Sequence, residues 1–202
     1  MTRLRGSPAV LGLLAACALS GGDLRAQDAP AAVPANGAFD SLAVALRMSA
    51  NVNRNTFHEF WDPRAGLELE VATPFYVGTA EAGLHVTRFS GAGVEQPDFS
   101  AWFPYLGWGL AWSPHPRLRW RNGARVGMSF MRFDEVASNR DERELGVELA
   151  SRLAVTVSGP WAVDVGARYQ VVFTRERLRL LFLTAGARYA LPMPSWLKEF
   201  LS

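Results

Sequence analysis

The stretch Arg117-Leu118-Arg119-Trp120-Arg121-Asn122-Gly123-Ala124-Arg125-Val126-Gly127-Met128-Ser129-Phe130 alternates between two kinds of side chain. The odd-numbered positions hold arginine, glycine and serine, and the even-numbered positions hold mostly aliphatic and aromatic residues. Successive side chains of a β-strand point to opposite faces, so this period of two predicts a strand. Because one face is apolar and the other basic, the two faces must meet different environments.

The same alternation recurs in seven further segments after residue 40. They cover residues 41–49, 67–72, 76–88, 101–112, 144–157, 161–173 and 181–191. Tight turns are predicted at 73–75, 113–116 and 158–160, and longer polar loops at 50–65, 90–98, 133–142 and, more briefly, 174–177. An even number of strands joined by alternating short turns and longer loops is typical of an outer-membrane barrel. The pattern therefore predicts an all-β protein, an eight-stranded antiparallel up-and-down transmembrane β-barrel with a short C-terminal amphipathic tail.

Charge decides which face of the strands points inward. A charged side chain facing lipid near the membrane midplane costs a few kcal/mol, so the charged face is predicted to line the lumen. An eight-stranded barrel is just wide enough for side chains to fill it. We therefore predict a lumen closed by a charge network, formed by Arg47, Glu68, Glu70, Glu81, Arg119, Arg121, Arg125, Glu144, Glu148, Arg152, Asp164, Arg168 and Arg188.

The N-terminus has the order of an export signal. Arg3 and Arg5 precede an apolar run at 9–19, and small residues lead to Ala26, which predicts a signal peptide over residues 1–26. The apolar run is shorter than the roughly 20 residues of a transmembrane helix. Residues 14–17 also resemble a bacterial lipobox, so lipidation of Cys17 stays open as an alternative. The predicted domains that follow are a Pro/Ala linker at 27–39, the barrel at 40–191 and a periplasmic tail at 192–202.

The charge balance argues against a nucleic-acid partner. The chain has 202 residues with 21 basic and 19 acidic side chains. Residues 1–26 hold three arginines and Asp23, so the remainder is balanced at 18 basic and 18 acidic side chains. A protein that neutralises phosphates needs a surplus of basic charge, and this one lacks it.

Aromatic residues collect at the ends of the segments, as they do at membrane interfaces. The short-turn ends carry Tyr76, Trp112, Trp120, Trp161, Tyr189 and Trp196, and the long-loop ends carry Phe89, Trp102, Phe130 and Phe173. We predict two aromatic bands, one at each membrane surface.

Residues 40–191 resemble the small eight-stranded bacterial outer-membrane β-barrel superfamily. The most specific likeness lies in Thr184-Ala185-Gly186-Ala187-Arg188-Tyr189-Ala190-Leu191, where Thr184, Gly186, Tyr189 and Leu191 match the signal that the barrel-assembly machinery reads in a last strand. The resemblance implies a cell outer-membrane location and contact with outer-membrane lipid and lipopolysaccharide. The chain departs from the pattern because eleven residues follow this strand. Their apolar residues share one helical face, which indicates an amphipathic foot on the inner leaflet or, alternatively, a frayed end.

Some barrels of this kind modify lipid A, and a deacylase needs a serine activated by a histidine that a carboxylate orients. Glu81, His85 and Thr87 share one strand face, and the lipid A deacylases place a serine two residues after their histidine. Threonine at that position is a poor nucleophile, so the alternative is that His85 is a hydrogen-bonded lumen residue. His58, Glu59 and Asp62 lack a recognised metal spacing. The aromatic residues around His58 instead suggest a loop that covers the barrel mouth or contacts a partner.

The sequence thus predicts a monomeric, non-enzymatic outer-membrane barrel without cofactor or metal, in a structural or loop-mediated binding role. The alternatives are a lipid A-modifying barrel enzyme, a small-solute transport barrel and a soluble periplasmic lipocalin-like binder. In the last of these the charges would lie outside and the tryptophans inside.

Overall fold

The computed structural model describes residues 38–93, 96–134, 141–175 and 177–201. The strands are β1 (Ser41–Asn51), β2 (Trp61–Pro63), β3 (Gly66–Pro74), β4 (Thr79–Gly91), β5 (Phe99–His115), β6 (Leu118–Phe133), β7 (Glu142–Ser158), β8 (Trp161–Val172) and β9 (Leu178–Pro192). A 3-10 helix covers Thr56–Glu59, and helix α1 covers Ser195–Leu201. The predicted signal peptide, Cys17 and the linker up to residue 37 lie outside the described residues.

Eight antiparallel strands of the described chain close into a ring in the order β1, β3, β4, β5, β6, β7, β8, β9. The closing pair of β1 and β9 runs from Ser41 opposite Pro192 to Asn51 opposite Phe182. The short strand β2 pairs with β4 beyond the end of β3, so β2 and β3 together form one interrupted barrel strand. The prediction of an eight-stranded up-and-down barrel is confirmed.

Two connections differ in extent from the prediction. Strand β5 continues through Ser113 and Pro114 to His115, so the turn predicted at 113–116 is shorter. The pairing register of β5 with β6 shifts between Trp112 and His115, and this irregularity accommodates a proline, which has no N–H for the ladder. The loop predicted at 50–65 contains the 3-10 helix and β2.

The faces of the strands are inverted relative to a water-soluble barrel. Along β3, Glu68 is fully buried, whereas its neighbour Leu69 is 49% exposed. The same contrast holds around the ring, so arginine and carboxylate side chains fill the inside while leucine, valine and tryptophan cover the outside. No helix among the described residues is long and apolar enough to cross a membrane.

Glycine makes room for the large side chains inside the barrel. On each of three strand pairs a glycine stands directly opposite a bulky lumen residue: Gly83 opposite Tyr105, Gly166 opposite Arg152 and Gly186 opposite Arg47. A Cβ atom at Gly186 would lie 2.1 Å from the Leu46 carbonyl oxygen and 2.6 Å from the Arg47 Cα. The arginines therefore lie flat across neighbouring strands without colliding with a second side chain.

The aromatic residues form bands at both ends of the outer surface, with one correction. The residues predicted for the short-turn end are all exposed: Tyr76, Trp112, Trp120, Trp161, Tyr189 and Trp196. At the loop end Trp102, Phe130 and Phe173 face outward, but Phe89 is only 1% exposed. Phe89 has the same odd-numbered parity as His85 and Thr87 on β4, so its side chain points into the barrel.

Candidate functional site

The centre of the lumen is an ion-pair network built around Arg125 on β6. Its guanidinium lies 3.0 Å and 2.8 Å from Glu81 Oε2 through Nε and Nη2, and Nη1 lies 2.8 Å from Glu148 and 3.1 Å from Glu68. Nη2 also donates to Glu70. Arg125 further stacks on the ring of Tyr105 at 4.3 Å. One buried cation therefore connects carboxylates from three strands.

Other arginines complete the hydrogen bonds of the same carboxylates. Arg152 donates to Glu68 at 2.7 Å and also to Glu70. Arg121 donates to Glu70 and lies 3.1 Å from Glu81. The Tyr105 hydroxyl adds a bond of 2.9 Å to Glu68. Burying a charge is costly unless it is paired and hydrogen-bonded, and these contacts provide both.

A second centre lies across the closing strands. Arg47 on β1 binds both carboxylate oxygens of Asp164 on β8 at 2.8 Å, and it also lies 3.3 Å from Glu68 and 3.2 Å from Glu70. Arg47 thus links Asp164 to the network around Arg125. Such bidentate pairing fixes geometry as well as charge.

Eleven of the thirteen side chains predicted for the lumen network are buried: Arg47, Glu68, Glu70, Glu81, Arg121, Arg125, Glu148, Arg152, Asp164, Arg168 and Arg188. The structure places the other two at opposite ends of the barrel. Arg119 is exposed near the short turns, and Glu144 is half-buried at the loop end. Both lie too close to a strand end to reach the central layer.

His85 lies above the central network, toward the loops. Its Nε2 is 2.8 Å from the Thr87 hydroxyl and 3.0 Å from the Ser49 hydroxyl, and Arg168 Nη2 approaches Nδ1 to 2.7 Å. Glu81 pairs with Arg125 instead of His85, so the structure does not assemble Glu81, His85 and Thr87 as a triad.

The Ser49 contact joins two strands and is absent from the sequence-based candidates. Its only signal in the sequence is that Ser49 shares the parity of Arg47 on β1. Arginine can only donate hydrogen bonds, so His85 accepts from Arg168, whose Nη2 lies against both ring nitrogens.

Above His85 the barrel is filled by apolar side chains. The buried cluster comprises Phe89, Phe99, Met131, Leu180 and Phe182. From the first loop, Phe57 stacks on Trp61 with ring centroids 5.3 Å apart and meets Phe89 edge to face at 5.4 Å. The enclosed gap between this cluster and His85 measures about 10 Å³, room for at most a single water.

Hydrogen bonds fix the first loop over the mouth of the barrel. Asn53 and Asn55 donate to the Arg179 carbonyl at 3.0 Å and 2.7 Å. His58 Nδ1 accepts from the Asn55 backbone N–H at 3.2 Å, and its Nε2 lies 2.9 Å from Asn51 Oδ1. Burial, with the nearby Arg54 charge, lowers the pKa of His58. The loop is thus tied to β1 and β9.

An open cavity of about 740 Å³ lies beside this loop, between it and the loop ends of β6, β7 and β9. Its walls combine aromatic residues with charged ones: Phe57, Phe60, Trp61, Phe99, Phe133, Glu142, Arg143, Glu144, Arg175, Arg177 and Arg179. The cavity can accept an apolar group on its aromatic wall and a charged group on its rim. Within the described residues, no group of three histidine, cysteine, aspartate or glutamate side chains is placed to hold a metal ion.

The predicted assembly residues lie on both faces of β9. Thr184 points into the lumen opposite Ser49, and Gly186 lies opposite Arg47. Tyr189 faces outward and packs on Trp161 with ring centroids 4.8 Å apart, while Leu191 is half-buried. Beyond β9, helix α1 leaves Trp196 and Phe200 exposed.

Comparison of the structure with solved proteins gives several matches to bacterial barrels. Neisserial surface protein A matches with a TM-score of 0.57 and 16% identity, over 76% of this chain and 98% of that one. Outer membrane protein H of Pseudomonas aeruginosa matches at 0.54 and 13% identity, covering 75% and 99%. The N-terminal β-barrel domain of Pseudomonas aeruginosa OprF matches at 0.52 and 8% identity, covering 77% and 100%.

No protein-family model matches the chain, and no curated protein sequence matches it. The likeness therefore rests on the closed ring of eight strands. The match extends over 98–100% of each of these three barrels. The chain therefore shares the fold of these small eight-stranded β-barrels from bacterial outer membranes.

Proposed function

We propose that this protein is a non-enzymatic outer-membrane β-barrel whose lumen is closed by side chains and whose role is structural or loop-mediated binding. The observation that carries the proposal is the inverted barrel itself, with a buried ion-pair network inside and large apolar side chains outside. Closure involves two layers, the charge network and the aromatic cluster beneath the first loop.

The outer surface supports the membrane location. Exposed leucines and valines occupy the middle of the strands, as in Leu46, Leu106 and Leu149, and aromatic residues border them at both ends. Water-soluble proteins rarely expose an apolar surface this continuous, whereas a lipid bilayer requires one. In a lipocalin-like protein the apolar residues would line the cavity.

The loop end supports contact with lipopolysaccharide. Arg132 and Arg143 are exposed on the outward parity of β6 and β7, and the Arg143 guanidinium lies 5.7 Å from the Phe130 ring. Arg88 also faces outward but is paired with Asp134 at 2.7 Å. Arginine side chains at the loop end of the barrel can bind the phosphate groups of an anionic outer leaflet. The 740 Å³ cavity beside them offers a place for loop-mediated binding.

The remaining assignments of the proposal rest on the sequence pattern. Residues 1–26 export the chain, 27–39 act as a linker, and 192–202 form a periplasmic tail whose Trp196 and Phe200 lie on the inner leaflet. The barrel-assembly machinery reads residues 184–191. Each of the eight ring strands pairs with two neighbours within the described residues, which supports a barrel that needs no second copy and functions as a monomer.

A first experiment tests the location and the barrel together. Cells expressing the full chain are separated into periplasmic and outer-membrane fractions, and each fraction is run on a semi-native gel with and without boiling. We expect the protein in the outer membrane, with a mobility that changes on heating. Recovery from the soluble periplasm with unchanged mobility would contradict the proposal and favour the lipocalin-like alternative.

A second experiment tests the closed lumen. The purified barrel is inserted into a planar lipid bilayer, with protein-free detergent as the blank and an open porin as the positive control. Because ion pairs and aromatic rings fill the lumen, we expect no current steps above the blank. Reproducible steps from the wild-type protein would support the small-solute transport alternative instead.

A further inference from the structure

The short-turn end of the lumen carries a group of arginines of which the central network pairs only one closely. This group, the basic opening, consists of Arg119 and Arg121 near the start of β6 and Arg188 near the end of β9. All three have inward parity on their strands, and all three lie at the same end of the ring.

The buried charges of the lumen do not balance. Among the described residues, six arginines are buried with only five carboxylates: Arg47, Arg121, Arg125, Arg152, Arg168 and Arg188 against Glu68, Glu70, Glu81, Glu148 and Asp164. An excess positive charge in a poorly hydrated site is costly unless an anion accompanies it.

The excess falls on Arg188. Its nearest carboxylate oxygen is Asp164 Oδ2 at 3.9 Å, beyond hydrogen-bonding distance. Both oxygens of Asp164 are already bound by Arg47 at 2.8 Å. The Arg188 side chain is 90% buried, and its Nε has no hydrogen-bond partner among the described residues.

The other two arginines define the surroundings of Arg188. Arg121 is paired with Glu70 and Glu81, so these carboxylates already neutralise its charge. Arg119 is exposed and forms no ion pair with any described residue. Among the described residues, Arg119 at the edge of the opening therefore has no counter-ion, and Arg188 inside it has only the distant Asp164, which Arg47 already binds.

We propose that the basic opening binds a small free oxyanion of the phosphate or sulfate type, which enters from the short-turn side. Planar guanidinium groups present paired N–H donors that match the spacing of oxyanion oxygens. The anion supplies the missing negative charge and the acceptor for Arg188. It comes from solution and not from a lipid headgroup, because both arginines lie on the lumen parity of their strands. This inference holds whether or not the loops bind a partner.

Equilibrium dialysis with radiolabelled inorganic phosphate tests the proposal. The barrel is held in an uncharged maltoside detergent that contributes no phosphate, at constant ionic strength in chloride. We expect saturable binding of one phosphate per chain and competition by sulfate. Absence of saturable binding to the wild-type barrel would overturn the proposal.

Matched variants locate the site. Arg188→Gln and Arg119→Gln should each weaken phosphate binding by about tenfold or more, since each removes a charged hydrogen-bond donor. Arg64→Gln, an exposed arginine between β2 and β3 at the opposite end, should bind like the wild type. Heat-dependent gel mobility confirms that each variant is folded. If Arg188→Gln does not fold, phosphate binding by the exposed Arg119→Gln variant still tests the site. Unchanged binding by folded Arg119→Gln would place the anion elsewhere and overturn the assignment.

Discussion

At the residue scale, arginine is the side chain that makes the closed lumen possible. Of the 21 basic residues only Lys198 is a lysine. A guanidinium offers five N–H donors in a planar fork, so Arg125 contacts Glu68, Glu70, Glu81 and Glu148 at once. A lysine ammonium is a compact charge with three donors and could not span these four carboxylates.

Replacement of Arg125 by glutamine tests the energetic weight of the network. The variant leaves buried carboxylates without their shared cation, so the free energy of unfolding should fall by about 3–5 kcal/mol. Urea titration of the barrel in lipid vesicles, followed by tryptophan fluorescence, measures the change. The control Arg179→Gln lies on the surface and should stay within about 0.5 kcal/mol of the wild type. Equal stability of the two variants would contradict the role given to Arg125.

At the element scale, the first loop acts as a cap because its side chains bond in two directions. Phe57 packs downward on Phe89 and Phe99, while Asn53 and Asn55 bond sideways to β9. His58 joins the loop to Asn51 at the end of β1. The cap therefore depends on a histidine whose Nδ1 must accept a hydrogen bond from the Asn55 N–H.

Acid should loosen this cap. Burial lowers the pKa of His58 in the closed loop, with Arg54 adding to the effect, so the open loop takes up a proton first. The stabilising contribution of neutral His58 is complete above the ordinary histidine pKa of about 6.5 and declines as the pH falls below that value. The NMR signal of the Trp61 indole N–H, which donates to the Pro97 carbonyl at 3.0 Å, reports the closed loop. In His58→Gln this signal should lose its pH dependence; an unchanged dependence would exclude His58 as the cause.

The closing strand pair depends on a small residue at Gly186. A Cβ there would lie 2.1 Å from the Leu46 carbonyl oxygen, and backbone cannot yield as a flexible side chain does. We expect Gly186→Ala to destabilise the barrel by about 1–3 kcal/mol. Refolding into lipid vesicles without any assembly factor separates this packing effect from the proposed recognition of residues 184–191 in the cell. The control Ala185→Val faces outward and should refold normally, and normal refolding of Gly186→Ala would leave only the recognition role.

At the scale of the whole molecule, the charges lie inside the barrel and the apolar side chains lie outside. This distribution indicates that lipid surrounds the outer surface. The network pairs most of the buried charges from within, and the outer surface of leucine, valine and tryptophan packs against lipid. Each half of this arrangement requires the other, because a barrel with charges inside has only its outer face left for apolar residues.

The variant Leu149→Arg tests whether the outer surface of the barrel meets lipid or water. Leu149 lies at the middle of β7 and is 63% exposed, so arginine there should cost about 2–4 kcal/mol in a bilayer. Val157→Arg, near the short-turn end of the same strand, should cost about 0–1 kcal/mol. Urea unfolding in vesicles measures both variants. Equal, small effects at the two depths would show that the outer surface meets water.

The sequence by itself determined the number of strands and the orientation of their faces. Period-two alternation is a local property of the backbone, so parity placed Glu68 and Arg125 on one face and Leu69 and Val126 on the other. The cost of placing a charge in lipid then assigned the charged face to the inside. The same parity rule would have placed Phe89 inside, had it been extended by two residues beyond Thr87.

Only the tertiary structure decided which side chains meet. Arg47 binds Asp164, 117 residues away, because closure of the ring brings β1 beside β9 and within reach of β8. The approach of Ser49 to His85, the insertion of Phe57 among Phe89 and Phe99, and the isolation of Arg188 also depend on the relative height of the strands around the ring. Strand register and barrel tilt set that height, and both arise from the closure of all eight strands together.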